Sequence, residues 1–219
     1  MNYQGYSART LKGLDLDKYI KKGSAAALKR YFQGRTEWGK VVVDFGGRIG
    51  ENTRLINNVT VVEIDKSAQK IMRDLNIQYK SGLEEFADTS IDTIFACHTL
   101  EHVTEPYRCL NSFRKKLKHS GTLIIVLPLE GILSSGIDEN GHLYSWNMRT
   151  LTTLLNASGF EVKHARLRII GTDYLFKLDT FIDKLLLFVQ RISLMLILPF
   201  ILKRFIEATH EMVIYATKK

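Results

Sequence analysis

Apolar residues in this chain fall into short β-branched runs, separated by longer stretches in which apolar positions recur at helical spacing. Val41-Val42-Val43-Asp44-Phe45 is the clearest run, and the glycine-rich turn Gly46-Gly47-Arg48-Ile49-Gly50 follows it. Similar runs at 59–64, 91–96, 122–127 and 160–167, with a short one at 77–79, have the length and composition of buried strands. Between them lie helix signatures. Residues 15–32 carry Ala25-Ala26-Ala27-Leu28, with Gly34 as a stop signal. A short helix is predicted around 52–56, and 66–75 places Ile71, Met72 and Leu75 on one side. Residues 106–118 open on Pro106 and close on basic residues, and 147–157 stop at Gly159. Strands alternating with helices predict an α/β fold with a mostly parallel sheet covered on both faces, joined by right-handed crossovers. No internal repeat or low-complexity linker interrupts the pattern.

In sheets of this kind a ligand sits beyond the carboxyl ends of the strands. Asp44, Asp65, His98 and Pro128 lie at or just after such ends. A glycine turn after the first strand lets backbone approach a ligand closely, and the acid Asp65 follows the second strand. The pair suits a nucleotide-like ligand whose polar tail lies on the turn and whose ribose hydroxyls meet the acid.

A length of 219 residues predicts one domain, or one domain with an appendage. Apolar content of 45% and charged content of 25% give enough material for a globular core with a soluble surface. Two cysteines, Cys97 and Cys109, are too few for a disulfide framework and lack metal-ligand spacing. A reducing, cytoplasmic setting is therefore expected, and no metal. Residues 1–9 are polar, so no signal peptide is expected. The net charge of +8 fits a solvated basic surface, an anionic cofactor, or attraction to the inner membrane surface. Basic residues are dispersed and not interleaved with aromatics, so a nucleic-acid partner is not indicated.

Four ordered motifs resemble the class I S-adenosylmethionine-dependent methyltransferases, in the small-molecule branch. They are Val43-Asp44-Phe45-Gly46-Gly47-Arg48-Ile49-Gly50; Val62-Glu63-Ile64-Asp65-Lys66-Ser67; the tract from Ile91 through Cys97-His98-Thr99-Leu100-Glu101-His102-Val103; and Leu117-Lys118-His119-Ser120-Gly121 before the fifth strand. A fifth tract runs from His142 through Trp146 to Val162. The resemblance implies a Rossmann-like sheet of seven strands, the last antiparallel. It implies a single domain over 1–219, with an N-terminal helix at 14–34, a core at 40–170 and the last strand at 210–217. It implies S-adenosylmethionine as cofactor. Gly46, Gly47 and Gly50 would border its methionine end, Asp44 would order that loop and its amino group, and Asp65 would take the ribose hydroxyls. Gly82 and Leu83 would lie near adenine, and His98 would line the pocket. Arg48 departs from the pattern, standing where a glycine is usual. It either tolerates the position with its side chain outward, weakens the site, or meets the methionine carboxylate.

Methyl transfer from a sulfonium is an in-line displacement, so the protein mainly aligns the acceptor and excludes water. A base is needed only when the acceptor must lose a proton early. His98, His102 and His142 are the catalytic candidates, with Glu101 beside them; packing or capping is the alternative for each. Trp146 is either a loop anchor or an aromatic face for a cation. Residues 130–144 read as a lid. The apolar stretch 182–205, within an expected helical insertion at 178–206 before the last strand, nearly reaches membrane-spanning length but carries Arg191 inside it. It is a wall of the acceptor site, an in-plane membrane helix, or a homodimer interface. The expected function is methyl transfer to a small or lipid-like acceptor. The alternative is a catalytically weakened relative that binds a membrane or partner. A nicotinamide dehydrogenase is disfavoured because the turn lacks the Gly-x-Gly-x-x-Gly spacing.

Overall fold

The computed structural model describes residues 5–32, 37–129, 141–169 and 210–219. Seven strands form one sheet: β1 (Val42–Phe45), β2 (Val59–Val62), β3 (Tyr79–Lys80), β4 (Ile91–Cys97), β5 (Leu117–Pro128), β6 (Phe160–Ile169) and β7 (His210–Lys218). Their order is β3-β2-β1-β4-β5-β7-β6. The first five strands are parallel. β7 runs antiparallel between β5 and β6, which confirms the expected final strand and places it inside the sheet. The order reverses between β2 and β4 on either side of β1, and the crevice above this switch point is where such sheets bind ligands.

Among the described residues, five helices accompany the sheet: α1 (Tyr6–Thr10), α2 (Leu16–Tyr31), α3 (Lys66–Asp74), α4 (Pro106–Lys116) and α5 (Met148–Ala157). Successive strand residues face opposite sides, so neighbours divide between two cores. Val43 and Ile94 pack with Leu110 and Phe113 of α4 and with Leu151 and Leu155 of α5. Val42 and Phe95 pack on the other side with Ala27, Tyr31 and Phe32 of the α2 end. A third cluster joins Ile49 and Val61 to Met72 of α3 and to Leu11 and Ile20 near the N-terminus. Each such fully buried side chain contributes roughly 1.5–3 kcal/mol. Helix starts follow local chemistry. Asp15 accepts from the Lys18 N–H at 3.1 Å, and Asn147 from Thr150 N–H at 3.0 Å. Pro106 opens α4, where its missing N–H costs nothing.

Two expectations differ from the structure. No helix forms at 52–56, which is a succession of turns closed by Thr53 N to Gly50 O at 3.1 Å and Ile56 N to Thr53 O at 2.8 Å. The Thr53 hydroxyl is drawn to Asp44 beneath it, and the turns end at Asn57-Asn58 before a regular helix can propagate. Gly121 does not open a strand after a turn. β5 begins at Leu117 and runs through it, with a register shift opposite Ile91 and Thr93 that absorbs the extra residues. The lid positions 130–140 and the whole insertion at 178–206, including the stretch 182–205, lie outside the described residues.

Candidate cofactor and acceptor site

The loop after β1 is supported from within. Asp44 is fully buried at the end of the strand, and its Oδ2 accepts the Thr53 hydroxyl at 2.6 Å. Burial pushes the Asp44 carboxyl up to about 7; the Thr53 bond opposes this, and the charges of Glu51 and Glu63 add to it. Its Oδ1 receives no hydrogen bond. A Cβ on Gly47 would collide with this carboxylate, and one on Gly46, whose φ is +67°, would collide with Thr99. The loop therefore sits directly on Asp44 and Thr99, and only glycine permits it. The Thr99 hydroxyl donates to Phe45 O at 3.1 Å, joining the β1 and β4 ends.

Arg48 takes φ 52°, a left-handed conformation uncommon for a residue with a side chain. Its backbone N–H donates to Glu63 Oε2 at 3.0 Å. Its guanidinium reaches the Tyr19 hydroxyl at 2.9 Å, Thr10 Oγ1 at 3.4 Å and the Glu51 carboxylate at 2.9 Å. The side chain thus ties the loop to α1 and α2.

The acids after β2 have different surroundings. Asp65 is the N-cap of α3 and is buried. It accepts from Gly5 N at 3.0 Å, Ser7 N at 2.9 Å, Ser67 N at 2.9 Å and the Ser67 hydroxyl at 2.7 Å. Burial opposes its charge, but these donors hold the carboxyl down at about 2. Those bonds fill what a carboxylate accepts, about four. Glu63 stands immediately after the last residue of β2. Its Oε1 accepts from Asp65 N at 2.8 Å and its Oε2 from Arg48 N. Burial raises its pKa in spite of the backbone N–H groups of Asp65, Arg48 and Ile64. Sequence reading passed over Glu63 because Asp65 also lies at the strand end. The available signal was Asp65-x-Ser67 opening a helix, which marks Asp65 as its cap. Gly82 and Leu83 begin the turn after β3; Leu83 is buried, and the Glu84 carboxylate folds over Gly82.

The β4 end carries the histidines. His98 has φ 50° and an N–H bonded to Val126 O at 2.9 Å. Its Nε2 lies 2.9 Å from Glu211 Oε1, and its Nδ1 3.4 Å from Glu101 Oε1. Burial disfavours the imidazolium, but the two carboxylates outweigh it and raise the His98 pKa to about 9. Glu211 also accepts the Tyr31 hydroxyl at 3.1 Å and pairs with Arg168 at 3.3 Å. Burial would raise its pKa, yet His98 and Arg168 keep it below the usual value. Tyr31, Arg168 and Glu211 could not be read as neighbours from sequence, since β6, β7 and α2 meet only through the sheet. Glu101 is fully buried on the 3₁₀ turn Leu100–His102. His102 and His142 stack edge to face with centroids 4.9 Å apart, so the structure brings these two together beside Glu101. Trp146 is buried in the core. Burial raises both thiols, that of Cys109 to about 12, so neither is a ready nucleophile.

The residues present fit an adenosyl sulfonium cofactor. A glycine loop lies at the switch point, Glu63 offers carboxylate acceptors at the β2 end, and Asp44 Oδ1 is an acceptor without a donor beneath the loop. A family model described as a methyltransferase domain matches residues 16–165. The chain belongs to this family, the class I S-adenosylmethionine-dependent methyltransferases, and it is an enzyme that uses S-adenosylmethionine. Among solved structures it is similar to a SAM-dependent methyltransferase from Archaeoglobus fulgidus, at 20% identity and TM-score 0.62 over 92% of this chain and 97% of that one. It is also similar to phosphoethanolamine N-methyltransferase 2 from Haemonchus contortus in complex with S-adenosyl-L-methionine, at 15% identity and TM-score 0.59, over 100% of this chain and 60% of that one. The [4+2]-cyclase SpnF is similar at 15% identity and TM-score 0.61, over 91% of this chain and 80% of that one. At these identities the likeness is one of fold. No curated protein matches the chain in sequence.

Proposed function

We propose that the chain methylates a small or lipid-like acceptor by in-line displacement, with the acceptor held between the β4 end and the 141–146 segment. The observation that carries this reading is the meeting of three separately placed histidines with the buried Glu101 and Glu211, one residue from the Thr99 side chain that supports the cofactor loop. When bound, S-adenosylmethionine supplies a methyl group on an already activated sulfonium. Glu63 accepts from the ribose hydroxyls, and Asp65 holds α1 and α3 in place around it. Asp44 and Thr99 fix the loop against the methionine portion. His98, with its pKa near 9, carries its proton at neutral pH and acts as a fixed cation and donor, not as a base. His102 and His142 present ring nitrogens to the acceptor side. The Haemonchus enzyme is named for phosphoethanolamine, a small acceptor. A lipid-like acceptor rests on the apolar stretch 182–205 and on the +8 charge. Among the described residues no helix is long and apolar enough to cross a membrane.

The alternative, a membrane- or partner-binding module without catalysis, rests on Arg48 and on the apolar stretch 182–205. The Arg48 guanidinium points away from the glycine loop's ligand face to engage Tyr19 and Thr10 and to pair with Glu51, which favours a tolerated substitution. Titration calorimetry with S-adenosylhomocysteine tests the assignment. Wild type binds. Glu63→Gln loses at least about tenfold in affinity, since hydroxyl donors lose a charged acceptor, and it also loses some stability, since the amide cannot accept from both Asp65 N and Arg48 N. Asp65→Asn destabilises the protein by about 1 kcal/mol or more, since an amide nitrogen cannot accept the bonds that one carboxylate oxygen takes from Ser7 N and the Ser67 hydroxyl. Folded wild-type protein that takes up no ligand at millimolar concentration would overturn the reading; a larger affinity loss in Asp65→Asn than in Glu63→Gln would move the ribose role back to Asp65.

A further inference from the structure

We propose that Glu101, His102 and His142 bind a divalent first-row transition-metal cation of the zinc, cobalt or iron(II) type. One ligand atom from each residue lies within 4.8 Å of the other two. Glu101 has no exposed surface, and neither carboxylate oxygen receives a hydrogen bond. His98 Nδ1 stands 3.4 Å from Oε1 and offsets part of the charge from one side. A buried carboxylate whose hydrogen-bond acceptors are unfilled, and whose charge His98 offsets from one side only, is stabilised further by a bound cation.

The histidine geometry is set for ligation. His102 Nδ1 lies 3.2 Å from Gly141 O, and a carbonyl only accepts, so Nδ1 carries the proton and Nε2 the lone pair. Metal-binding histidines are oriented by this kind of bond from the other ring nitrogen. The loop that carries His142 is docked by Leu143 N to Glu101 O at 2.8 Å and by the Tyr144 hydroxyl to Thr104 O at 2.7 Å. The ligands therefore come from two segments already joined through their backbone. A tetrahedral ion with bonds of about 2.0–2.2 Å needs its ligand atoms roughly 3.3–3.5 Å apart, a distance that small rotations of the half-exposed rings reach. Two nitrogens and one carboxylate suit zinc, cobalt or iron(II), whereas magnesium and calcium demand oxygen. Three protein ligands leave a coordination position open on the solvent side. The sequence pointed to no metal because the third ligand lies about forty positions beyond the adjacent pair and the loop brings it back.

The test is calorimetric titration of Zn²⁺ into the full chain after chelator treatment and dialysis, with Co²⁺ followed by its visible absorption. One ion per chain is expected, and excess Mg²⁺ does not displace it. His142→Ala, in a half-exposed loop position, weakens Zn²⁺ binding by at least about tenfold while circular dichroism is unchanged. Glu101→Gln does the same where it folds. His119→Ala, an exposed histidine at the other end of β5, keeps wild-type affinity. No Zn²⁺ uptake by folded protein, unchanged affinity in His142→Ala, or an equal loss in His119→Ala would overturn the site. The titration contains no adenosyl compound, so its failure leaves the methyl-transfer reading standing.

Discussion

Asp44 shows how a single buried acid is made to serve a loop. Its carboxylate fills the space under Gly47 and holds Thr53, so the glycine turn has one seat. The cost is a charge without water around it, and burial answers by raising the pKa to about 7 against 3.8 for the free group. The sign of the linkage follows. Between these two values the native state binds more protons than the unfolded chain, so stability falls as pH rises through this window, and the loss is complete above about 7. Urea midpoints of the cofactor-free protein at pH 5 and pH 8 read this slope. Asp44→Asn should flatten it and be more stable than wild type at pH 8, by roughly 2–4 kcal/mol at most. A variant slope as steep as the wild-type one would contradict the assignment. Arg48 makes the complementary point: a positive φ is held in a non-glycine residue because its N–H and guanidinium both find partners.

Among the elements, β7 is decisive. It pairs with both β5 and β6, and Met212, Val213 and Ile214 are fully buried, so it is a central strand. Its first residues bring Glu211 beside Pro128, at the carboxyl end of the parallel strands. There the acid binds His98 from β4, Tyr31 from α2 and Arg168 from β6. Truncating it removes one shared buried acceptor from two cations and a hydroxyl. Glu211→Ala should destabilise the protein by about 3–5 kcal/mol, and Glu211→Gln by clearly less, since the amide still accepts. Chemical denaturation measures both, and an alanine variant within 1 kcal/mol of wild type would show, on that scale, that the network is not coupled.

Across the whole molecule, the loop after β1, the acids after β2 and the histidines after β4 belong to one edge of one sheet. A ligand that touches all three joins elements contributed by distant parts of the chain. Saturation with S-adenosylhomocysteine at a hundred times its dissociation constant adds about 2.7 kcal/mol to stability. For a domain of this size that raises the melting temperature by about 5–10 °C in differential scanning calorimetry. The Glu63→Gln variant should show a smaller rise at the same concentration, and an equal rise would argue against Glu63 as a ribose contact.

The strand runs, the longer helices and the glycine turn were legible in the chain, because each depends on residues within a few positions of one another. Side-chain period and β-branched runs specify strands, Asp and Asn specify helix starts, and Gly46-Gly47 specifies a turn that no other residue fits. That local chemistry was enough to give a mostly parallel α/β sheet with a ligand at its switch point, and His98, His102 and His142 as the chemical candidates. It left Glu63 and Asp65 unseparated, since both follow the same strand; the Asp65-x-Ser67 cap was readable, but the approach of the N-terminal segment, which fills the rest of that carboxylate, was not. Nor could it join Glu211 to His98, or His142 to Glu101. Those neighbours are made by strand insertion and loop return, long-range consequences of burying two faces of one sheet, and a tertiary structure is needed to bring them within bonding distance.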